Sequence, residues 1–231
     1  MYKNKSVFCF IAARAGSTGV PKKNSKILAG KSLIRHSIDI AKKVKQIDEI
    51  YVSTDGDKIR QISLNAGVNV IDRPKKISKL TSNILDTWKH MINSIPRAKD
   101  NDVIIVIFWP TTPIRNVRQI EKCIEMYDKN YDCIVSVMEP KIRPAWLFIE
   151  KNGLLKFWQK GKPENNRQEQ KNTYYYMNGA VVVTNSRFLQ NQKETFPTGR
   201  MKGFLMDEKH SMDIDTNFDF QLCRMVLESK F

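Results

Sequence analysis

Short apolar runs alternate with segments of helical periodicity from residue 6 to residue 138, and this alternation constrains the fold most strongly. The apolar runs predict strands at 6–12, 50–53, 68–71, 103–108 and 133–138. The intervening segments predict helices at 32–45, 57–65, 82–95 and 116–127, with Ser82 as the expected N-cap of the third. Repeated βα units predict an α/β fold with a doubly wound, mostly parallel sheet. Such sheets bind ligands outside the carboxyl ends of their strands.

The first predicted strand leads into a loop of small and basic residues, Ala12-Ala-Arg-Ala-Gly-Ser-Thr-Gly-Val-Pro-Lys-Lys-Asn24. Its glycines permit close approaches that a side chain would block. Backbone N–H groups in such a loop can form an anion-binding concavity, and Arg14, Lys22 and Lys23 add positive charge. Neither G-x-x-x-x-G-K-[ST] nor G-x-G-x-x-G is present. The loop is therefore a candidate triphosphate site, with a basic surface turn as the alternative interpretation.

Two aspartates near the C-terminus have the pattern of a metal site. Asp213 and Asp215 alternate with apolar Met212 and Ile214, so both carboxylates point the same way from an extended segment. Mg²⁺ usually binds one or two carboxylates and completes its octahedron with water and substrate phosphates. The pair predicts a Mg²⁺ site. The alternative is that both side chains are solvated or cap the helix expected to begin near Phe218.

Composition and charge narrow the functional classes. A net charge of +15 suggests nucleic-acid binding, but the basic residues are dispersed and no zinc, helix-turn-helix or aromatic-interleaved motif accompanies them. No apolar run approaches the roughly 20 residues that span a bilayer, and no signal-peptide pattern is present. The 4 cysteines are isolated, as expected of reduced core thiols. We expect a cytoplasmic protein with no nucleic-acid and no membrane partner.

The alternation breaks at about 140–177. Trp146 to Ile149 and Gly153 to Trp158 predict a hairpin with more apolar side chains than a lone excursion can bury, and a polar segment at 160–173 follows. We expect this segment to be an inserted arm that contacts a second subunit. The whole chain is predicted to form one domain over 1–231 that includes this arm, since no linker divides it.

The loop and five later blocks of the chain follow the order found in a known family. The loop matches the signature R-x-x-S-K-G-x-P-x-K-N at Arg14, Ser17, Gly19, Pro21, Lys23 and Asn24. Later blocks are Val52-Ser-Thr-Asp-Gly56, Arg73-Pro74, Pro110-Thr-x-Pro-x-Arg115, Asn178-Gly-Ala180 and Asp213-Ile-Asp215-Thr216. From about residue 6 to residue 228 the chain resembles the acylneuraminate cytidylyltransferases. The resemblance implies a Rossmann-like nucleotidyltransferase fold and a homodimer formed through the inserted arm.

The resemblance also implies a reaction and its residues. CMP would pass from CTP to the anomeric hydroxyl of a sialic-acid-like nonulosonic acid, or a related keto-sugar acid, with release of pyrophosphate. Mg²⁺ is the implied cofactor, held by Asp213 and Asp215. The triphosphate would contact Arg14, Ser17, Lys22 and Lys23, and the nucleoside would contact Asn24, Arg73 and the backbone of Ala12 and Ala13. The implied sugar site comprises Trp109, Thr111, Thr112, Arg115, Tyr176 and Asn178. A structural salt bridge is the alternative role for Arg14.

Departures from the family pattern leave further alternatives open. Thr18 replaces the usual lysine, and Lys22 is a candidate for the missing charge. Related 3-deoxy-octulosonate cytidylyltransferases have arginine in place of Gly19. Trp109 and Tyr176 stand where relatives that use sialic acid commonly have glutamine and arginine, which favours an acceptor with a more apolar face. Trp109 as a core residue is the alternative. A weak or inactive CTP- and sugar-binding homologue and a 3-deoxy-octulosonate cytidylyltransferase are the alternative functions.

Overall fold

The computed structural model describes residues 1–100, 102–142, 144–158, 173–193 and 198–229. The strands are β1 (Val7–Ala12), β2 (Ile27–Leu28), β3 (Lys31–Ser32), β4 (Glu49–Thr54), β5 (Asn69–Asp72), β6 (Ile104–Phe108), β7 (Cys133–Met138), β8 (Phe148–Lys151), β9 (Leu154–Phe157), β10 (Tyr176–Asn185) and β11 (Met201–Leu205). The helices are α1 (Leu33–Ala41), α2 (Asp57–Asn65), α3 (Ile84–Asn93), α4 (Pro96–Asp100), α5 (Val117–Met126), α6 (Ser186–Asn191) and α7 (Asn217–Glu228). Single 3₁₀ turns include Lys23–Ser25, Lys75–Ile77, Pro144–Trp146 and Lys209–Ser211.

Seven strands form the central sheet in the order β11-β7-β10-β6-β1-β4-β5. β1 pairs in parallel with β4 and β6, and β5 extends the parallel part beside β4. β10 is antiparallel to both β6 and β7, whereas β11 is parallel to β7. The predicted mostly parallel sheet is confirmed. The sequence pattern did not predict β10 and β11, because the regular βα alternation ends at residue 138.

Helices cover both faces of this sheet. Along β1, Cys9 and Ile11 face a core completed by α1, α2 and α5, whereas Phe8 and Phe10 face a core completed by α3 and α6. This two-faced burial explains why β1 and β6 are apolar without alternation. Two predicted helix ends were wrong. α1 ends at Ala41 rather than at residue 45, and Asn83, not Ser82, caps α3 by accepting the N–H of Leu85 at 2.9 Å.

A third, smaller core lies under the loop that follows β1. Its buried members come from that loop, β2, α1, the segment after β6, residues 213–215 (here called the aspartate segment) and α7: Val20, Leu28, Leu33, Ile114, Ile214, Phe220 and Cys223. Because these side chains pack on one another, the basic loop and the two aspartates are fixed relative to each other before any ligand binds.

The predicted hairpin is present as β8 and β9, which pair with each other in a separate two-stranded sheet. Asn152 and Gly153 connect the strands with φ values of 56° and 76°, as a type I′ turn requires. The rings of Phe148 and Phe157 contact each other with centroids 4.6 Å apart. Every residue of both strands is exposed. Residues 159–172 of the expected arm lie outside the described residues.

Within the described ranges, no helix has the length and apolar character needed to cross a bilayer.

Candidate active site

Polar segments from distant parts of the chain meet at the carboxyl edge of the parallel strands. The loop after β1 is joined to β4 by the hydrogen bond from Ala13 N to Ser53 O, at 2.9 Å. The aspartate segment is joined to the segment after β6 by the bond from Ile214 N to Thr111 O, also 2.9 Å. The sheet thus brings the basic loop and the acidic segment to one edge, as expected of a doubly wound fold.

The basic loop is held in shape by its own polar side chains. The Ser17 hydroxyl donates to the Val20 carbonyl and accepts the Lys23 N–H at 2.9 Å. The Asn24 amide donates to the Arg14 carbonyl at 2.9 Å. Lys22 adopts a left-handed conformation with φ of 53°, which turns the chain into the 3₁₀ helix at Lys23–Ser25. Ser17 and Asn24 therefore shape the loop in addition to any contact with a ligand.

A second loop, after β4, supports the first. The Asp55 carboxylate accepts the N–H of Ala15 at 2.8 Å. Gly56 lies directly against Ala15, since a Cβ added at Gly56 would come within 2.8 Å of the Ala15 Cβ. The Val52-Ser-Thr-Asp-Gly56 block thus has a local physical purpose, which is to hold the middle of the basic loop.

The basic loop also packs against the aspartate segment. A Cβ added at Gly19 would lie 2.0 Å from the carbonyl oxygen of Asp215, so only glycine fits there. Lys23 donates its ammonium to the Ile214 carbonyl and lies 3.5 Å from a carboxylate oxygen of Asp215. A cation and an anion of the site are therefore held within a few ångströms of each other.

These contacts enclose a cavity of about 620 Å³, here called the nucleotide cavity. Ten residues predicted for the site line it: Ala12, Arg14, Ser17, Lys23, Asn24, Arg73, Trp109, Thr111, Asp213 and Asp215. Arg14 forms no ion pair with any described residue, which removes the structural salt-bridge alternative in this part of the chain. Its guanidinium instead donates to the Lys79 carbonyl at 3.3 Å across the cavity.

Arg73 lies buried at one end of the nucleotide cavity. Its guanidinium donates to the hydroxyl and the carbonyl of Ser53, at 3.2 and 2.6 Å. Burial lowers the pKa of Arg73 to about 10, although nearby Asp55 favours the charged form. Arg73 thus remains a cation at neutral pH, oriented by Ser53 beside the strand that also holds Ala13.

The two aspartates have the alternating exposure that the sequence predicted. Ile214 is fully buried, while Asp213 and Asp215 are both accessible from the nucleotide cavity. The nearby Thr111 side chain lowers the pKa of Asp213 and so favours its charged form. Burial, together with the neighbouring Asp215 carboxylate, raises the pKa of Asp213 above its usual value. An electrostatic environment of this kind favours the approach of a cation.

The donor set fits Mg²⁺ only in combination with a substrate. Within the described residues, no group of three or more His, Cys, Asp or Glu side chains could hold a metal ion by itself. Two carboxylates on the wall of a basic cavity of about 620 Å³ do match the way Mg²⁺ is bound by one or two carboxylates plus phosphate oxygens and water. Helix capping is not the role of this pair, because Thr216 and Asp219 form the capping box of α7.

Trp109 combines the two roles that the sequence left open. Its ring packs edge-on against Trp88 of α3, with centroids 5.9 Å apart and an interplanar angle of 83°. The residue is only partly buried and also lines the nucleotide cavity. Trp109 therefore presents a supported aromatic surface next to Thr111 and the aspartates.

The structure corrects the prediction that Arg115 contacts the sugar. Arg115 is buried beneath the cavity and does not line it. Its guanidinium donates to the carbonyls of Ala180 and Trp109 and to the Ser37 hydroxyl, and it lies over the ring of Phe108. Burial lowers the pKa of Arg115 to about 9. All three of these polar contacts are to the protein itself, so Arg115 ties β6, β10 and α1 together.

Other predicted site residues also lie outside the nucleotide cavity. Thr112 is fully buried, with its hydroxyl 3.5 Å from the Asn178 carbonyl. Asn178 is buried too, and its amide joins Ser136 to Ser211. Ala13 is buried, whereas Lys22 and Tyr176 are exposed but do not line this cavity. For the buried residues, the matched motifs mark packing beneath the site rather than contact with a ligand.

Sequence reasoning missed several residues of the site. The nucleotide cavity is also lined by Ile77, Lys79, Ser82, Ile84 and Thr87, all from the segment after β5 and the start of α3. Lys79, together with Lys75 and Lys76, follows the strand predicted at 68–71. Its position after a predicted strand was the signal that could have placed it at the site.

Known proteins resemble this chain in sequence. A family model described as Cytidylyltransferase matches residues 8–222. An N-acylneuraminate cytidylyltransferase of Streptococcus agalactiae serotype III is 31% identical over 215 residues, which cover 92% of this chain and 51% of the relative. A CMP-N,N'-diacetyllegionaminic acid synthase of Legionella pneumophila is 28% identical over 231 residues, 96% of each chain. The chain thus spans about half the length of the streptococcal relative and nearly all of the Legionella one.

A solved structure resembles this chain in fold. The CMP:2-keto-3-deoxy-manno-octonic acid synthetase complexed with CTP superposes with a TM-score of 0.72 over 98% of this chain and 100% of that one. At 16% identity this likeness shows the fold alone. The family match extends from β1 into α7 and includes both the basic loop and the aspartate pair. The chain belongs to the cytidylyltransferase family, as its resemblance to the acylneuraminate members predicted.

Proposed function

We propose that this protein transfers CMP from CTP to the anomeric hydroxyl of an acidic keto-sugar and releases pyrophosphate. One observation carries the proposal: a single cavity is lined by the cations Arg14 and Lys23 and by the carboxylates Asp213 and Asp215. Cations stabilise phosphate oxygens and paired carboxylates hold a divalent metal, which together are what nucleotidyl transfer requires. The names of the relatives support the same reaction.

In this reaction a bond forms between the acceptor oxygen and the α-phosphorus, the bond from that phosphorus to the leaving pyrophosphate breaks, and the hydroxyl proton passes to water. Arg14 and Lys23 bind the phosphates, and backbone contacts hold both before CTP arrives. Negative charge grows on the leaving oxygens during the transfer, so fixed cations stabilise the transition state more than the ground state. Arg73 and Asn24, with the backbone of Ala12, bind the nucleoside end of CTP.

Asp213 and Asp215 hold Mg²⁺ in this proposal. When bound there, Mg²⁺ would neutralise phosphate charge. Thr111 orients Asp213 through its side chain and orients the segment through its carbonyl, which accepts the Ile214 N–H at 2.9 Å. The same residue therefore links the expected sugar-binding segment to the carboxylates.

The proposed acceptor is a nonulosonic acid with a more apolar surface than ordinary sialic acid. The partly exposed ring of Trp109 beside Thr111 supports this proposal, as does the similarity to the Legionella synthase for a diacetylated acid. The alternative, a 3-deoxy-octulosonate acceptor, has support only from a likeness of fold. Comparing kcat/KM for legionaminate, pseudaminate, N-acetylneuraminate and 3-deoxy-octulosonate tests the choice. A clear preference for N-acetylneuraminate would return Trp109 to a packing role.

Lys23→Ala is expected to raise KM for CTP and to lower kcat, with a loss of about 100-fold in kcat/KM, because the ammonium meets charge that develops in the transition state. Lys22→Ala is the matched control, since Lys22 does not line the nucleotide cavity. Steady-state pyrophosphate release measures both variants. A silent Lys23→Ala together with an impaired Lys22→Ala would assign the phosphate cation to Lys22 instead.

Thr18→Lys, which restores the usual family residue, is expected to be tolerated and to keep or increase kcat. Thr18 is exposed and lines the nucleotide cavity, so a lysine there can reach a bound phosphate without displacing the core. This variant separates a slow enzyme from an inactive binding homologue. If neither the wild type nor Thr18→Lys releases pyrophosphate with any acceptor despite binding CTP, the inactive homologue is the correct reading.

We propose that the chain forms a homodimer through the arm at 140–177 and works in the cytoplasm. Support for the dimer comes from the β8–β9 hairpin, in which Phe148, Leu154, Leu155 and Phe157 are all exposed. A lone two-stranded hairpin is marginal in water and an exposed apolar patch of this kind is typical of an interface. Support for a reducing compartment comes from four free, buried cysteines in the described chain, Cys9, Cys123, Cys133 and Cys223.

Leu155→Lys is expected to shift the protein from dimer to monomer, because Leu155 is 69% exposed and a lysine would be buried by the partner. Leu64→Lys, on the exposed side of α2, is the control for adding a charge at an exposed leucine. Light scattering after gel filtration measures the mass against the 26.8 kDa of one chain. A wild type that remains monomeric at high concentration would refute the dimer.

A further inference from the structure

A second cavity, of about 700 Å³, opens beside the nucleotide cavity, and Asp213 lines both. Much of its wall is apolar: Met138 at the end of β7, Met212 before the aspartates, and Leu222 and Val226 on α7. Tyr176 closes one side, with its hydroxyl 3.5 Å from the Met138 sulfur. We call this second space the apolar cavity.

Most charged groups around the apolar cavity already have a partner within the protein. Glu208 is paired with Lys141 across the rim. Asp219 accepts the N–H and the hydroxyl of Thr216 at 2.7 and 2.8 Å, as part of the capping box of α7. The thioether and aliphatic walls remain open, and Lys209 adds a cation at the edge. The cavity is therefore suited to an apolar group.

We infer that the apolar cavity receives the apolar substituents of the acceptor, such as acyl or deoxy-carbon methyl groups. This inference rests on the proposed function, in which the acceptor hydroxyl reacts beside Asp213. Because Asp213 lines both cavities, a sugar ring held there has the nucleotide on one side and the apolar cavity within reach of its substituents. Methyl groups gain from burial against methionine, leucine and valine, whereas phosphates and hydroxyl-rich rings do not.

The inference also explains how Tyr176 contributes although it lies outside the nucleotide cavity. Tyr176 is 44% exposed and lines the apolar cavity together with Met212. An aromatic ring at position 176 extends the apolar wall of this cavity. A charged side chain at the same position would place a charge within that wall. Selectivity for methyl-bearing acids is thus assigned to the wall formed by β7, β10 and α7.

Filling the cavity from α7 tests the inference. Leu222→Trp places a large ring in the apolar cavity, and Leu222 is 40% exposed, so the helix can accept the change. Met225→Trp is the matched control, because Met225 lies on the same helix, is 67% exposed and lines neither cavity. Thermal midpoints and CTP affinity of both variants report folding and the nucleotide site.

We expect Leu222→Trp to raise KM for a diacylated nonulosonic acid about tenfold, the effect of losing a methyl-sized contact, with KM for CTP unchanged. An acid without acyl groups, 3-deoxy-octulosonate, measured as a substrate or inhibitor, should be affected less. Met225→Trp should match the wild type. Equal KM values for the diacylated acid in the two variants, or an equal rise in KM for CTP, would overturn the inference.

A binding measurement separates this inference from the reaction itself. Absence of pyrophosphate release with every acid would refute the proposed function. Saturation-transfer NMR then still detects whether methyl groups of the diacylated acid contact the protein. Methyl signals that are saturated by the wild type and Met225→Trp, but weakened in Leu222→Trp, support the cavity assignment. No methyl saturation in the wild type, or equal saturation in all three proteins, contradicts it.

Discussion

Asp215→Asn is expected to remove most turnover while leaving the thermal midpoint almost unchanged. The Asp215 side chain is 79% exposed and its only ion pair among the described residues is with Lys23, at 3.5 Å. Exposed pairs of this kind contribute about 0–1 kcal/mol to stability. The amide keeps the size of the side chain but removes the negative charge that holds the metal. A loss of several kcal/mol of transition-state stabilisation corresponds to at least about 100-fold in kcat.

The control for this variant is Asp219→Asn. Asp219 belongs to the capping box of α7 and is assigned no metal contact. Asp219→Asn should therefore lower the thermal midpoint, whereas kcat should stay much closer to the wild-type value than in Asp215→Asn. Turnover at increasing Mg²⁺ and thermal unfolding of both variants give the comparison. Near-normal turnover of Asp215→Asn at saturating Mg²⁺ would remove Asp215 from the metal site.

Gly19→Ala is expected to weaken CTP binding and to lower kcat/KM by about 100-fold or more, the scale observed when catalytic groups are displaced by about an ångström. The added Cβ would lie 2.0 Å from the Asp215 carbonyl oxygen and 3.2 Å from its carbon. Both partners are backbone, so the basic loop and the aspartate segment must move apart. Overpacking of this kind also costs about 1–3 kcal/mol of stability.

Gly16→Ala is a closely matched control for Gly19→Ala. It lies in the same loop, and a Cβ there would meet no atom within 4 Å. Gly16 also lines the nucleotide cavity, so Gly16→Ala reports the effect of a methyl group in that space without the clash against Asp215. Thermal unfolding should leave Gly16→Ala close to the wild type, and isothermal titration with CTP and steady-state kinetics should show a smaller loss than for Gly19→Ala. If the two alanine variants behave alike, the close packing of Gly19 on Asp215 is not what positions the site.

Strand ends were the part of the site that the sequence predicted well. Arg14, Arg73 and Trp109 all reach the nucleotide cavity, because parallel strands bring their carboxyl ends to one edge and the apolar runs locate those ends. The alternation around Ile214 likewise predicted the common direction of the two carboxylates, since the segment is extended.

Motif membership did not predict which way a side chain points. Arg115 and Asn178 match the family blocks, yet both are buried and satisfy backbone and hydroxyl partners beneath the cavity. The segment after β6 has no fixed period that would separate inward from outward positions. Asp55 illustrates a different limit, because its partner, Ala15, is 40 residues away and only the parallel pairing of β1 with β4 brings the two together.

The most direct test of the central claim is ³¹P NMR of the purified protein with CTP, Mg²⁺ and a panel of nonulosonic and octulosonic acids. The account predicts that CTP signals are replaced by pyrophosphate and one new phosphodiester in equal amounts, only when an acceptor acid is present, and with the highest rate for an acyl-bearing nonulosonic acid. Bound CTP that yields neither pyrophosphate nor a phosphodiester with any acid would contradict it.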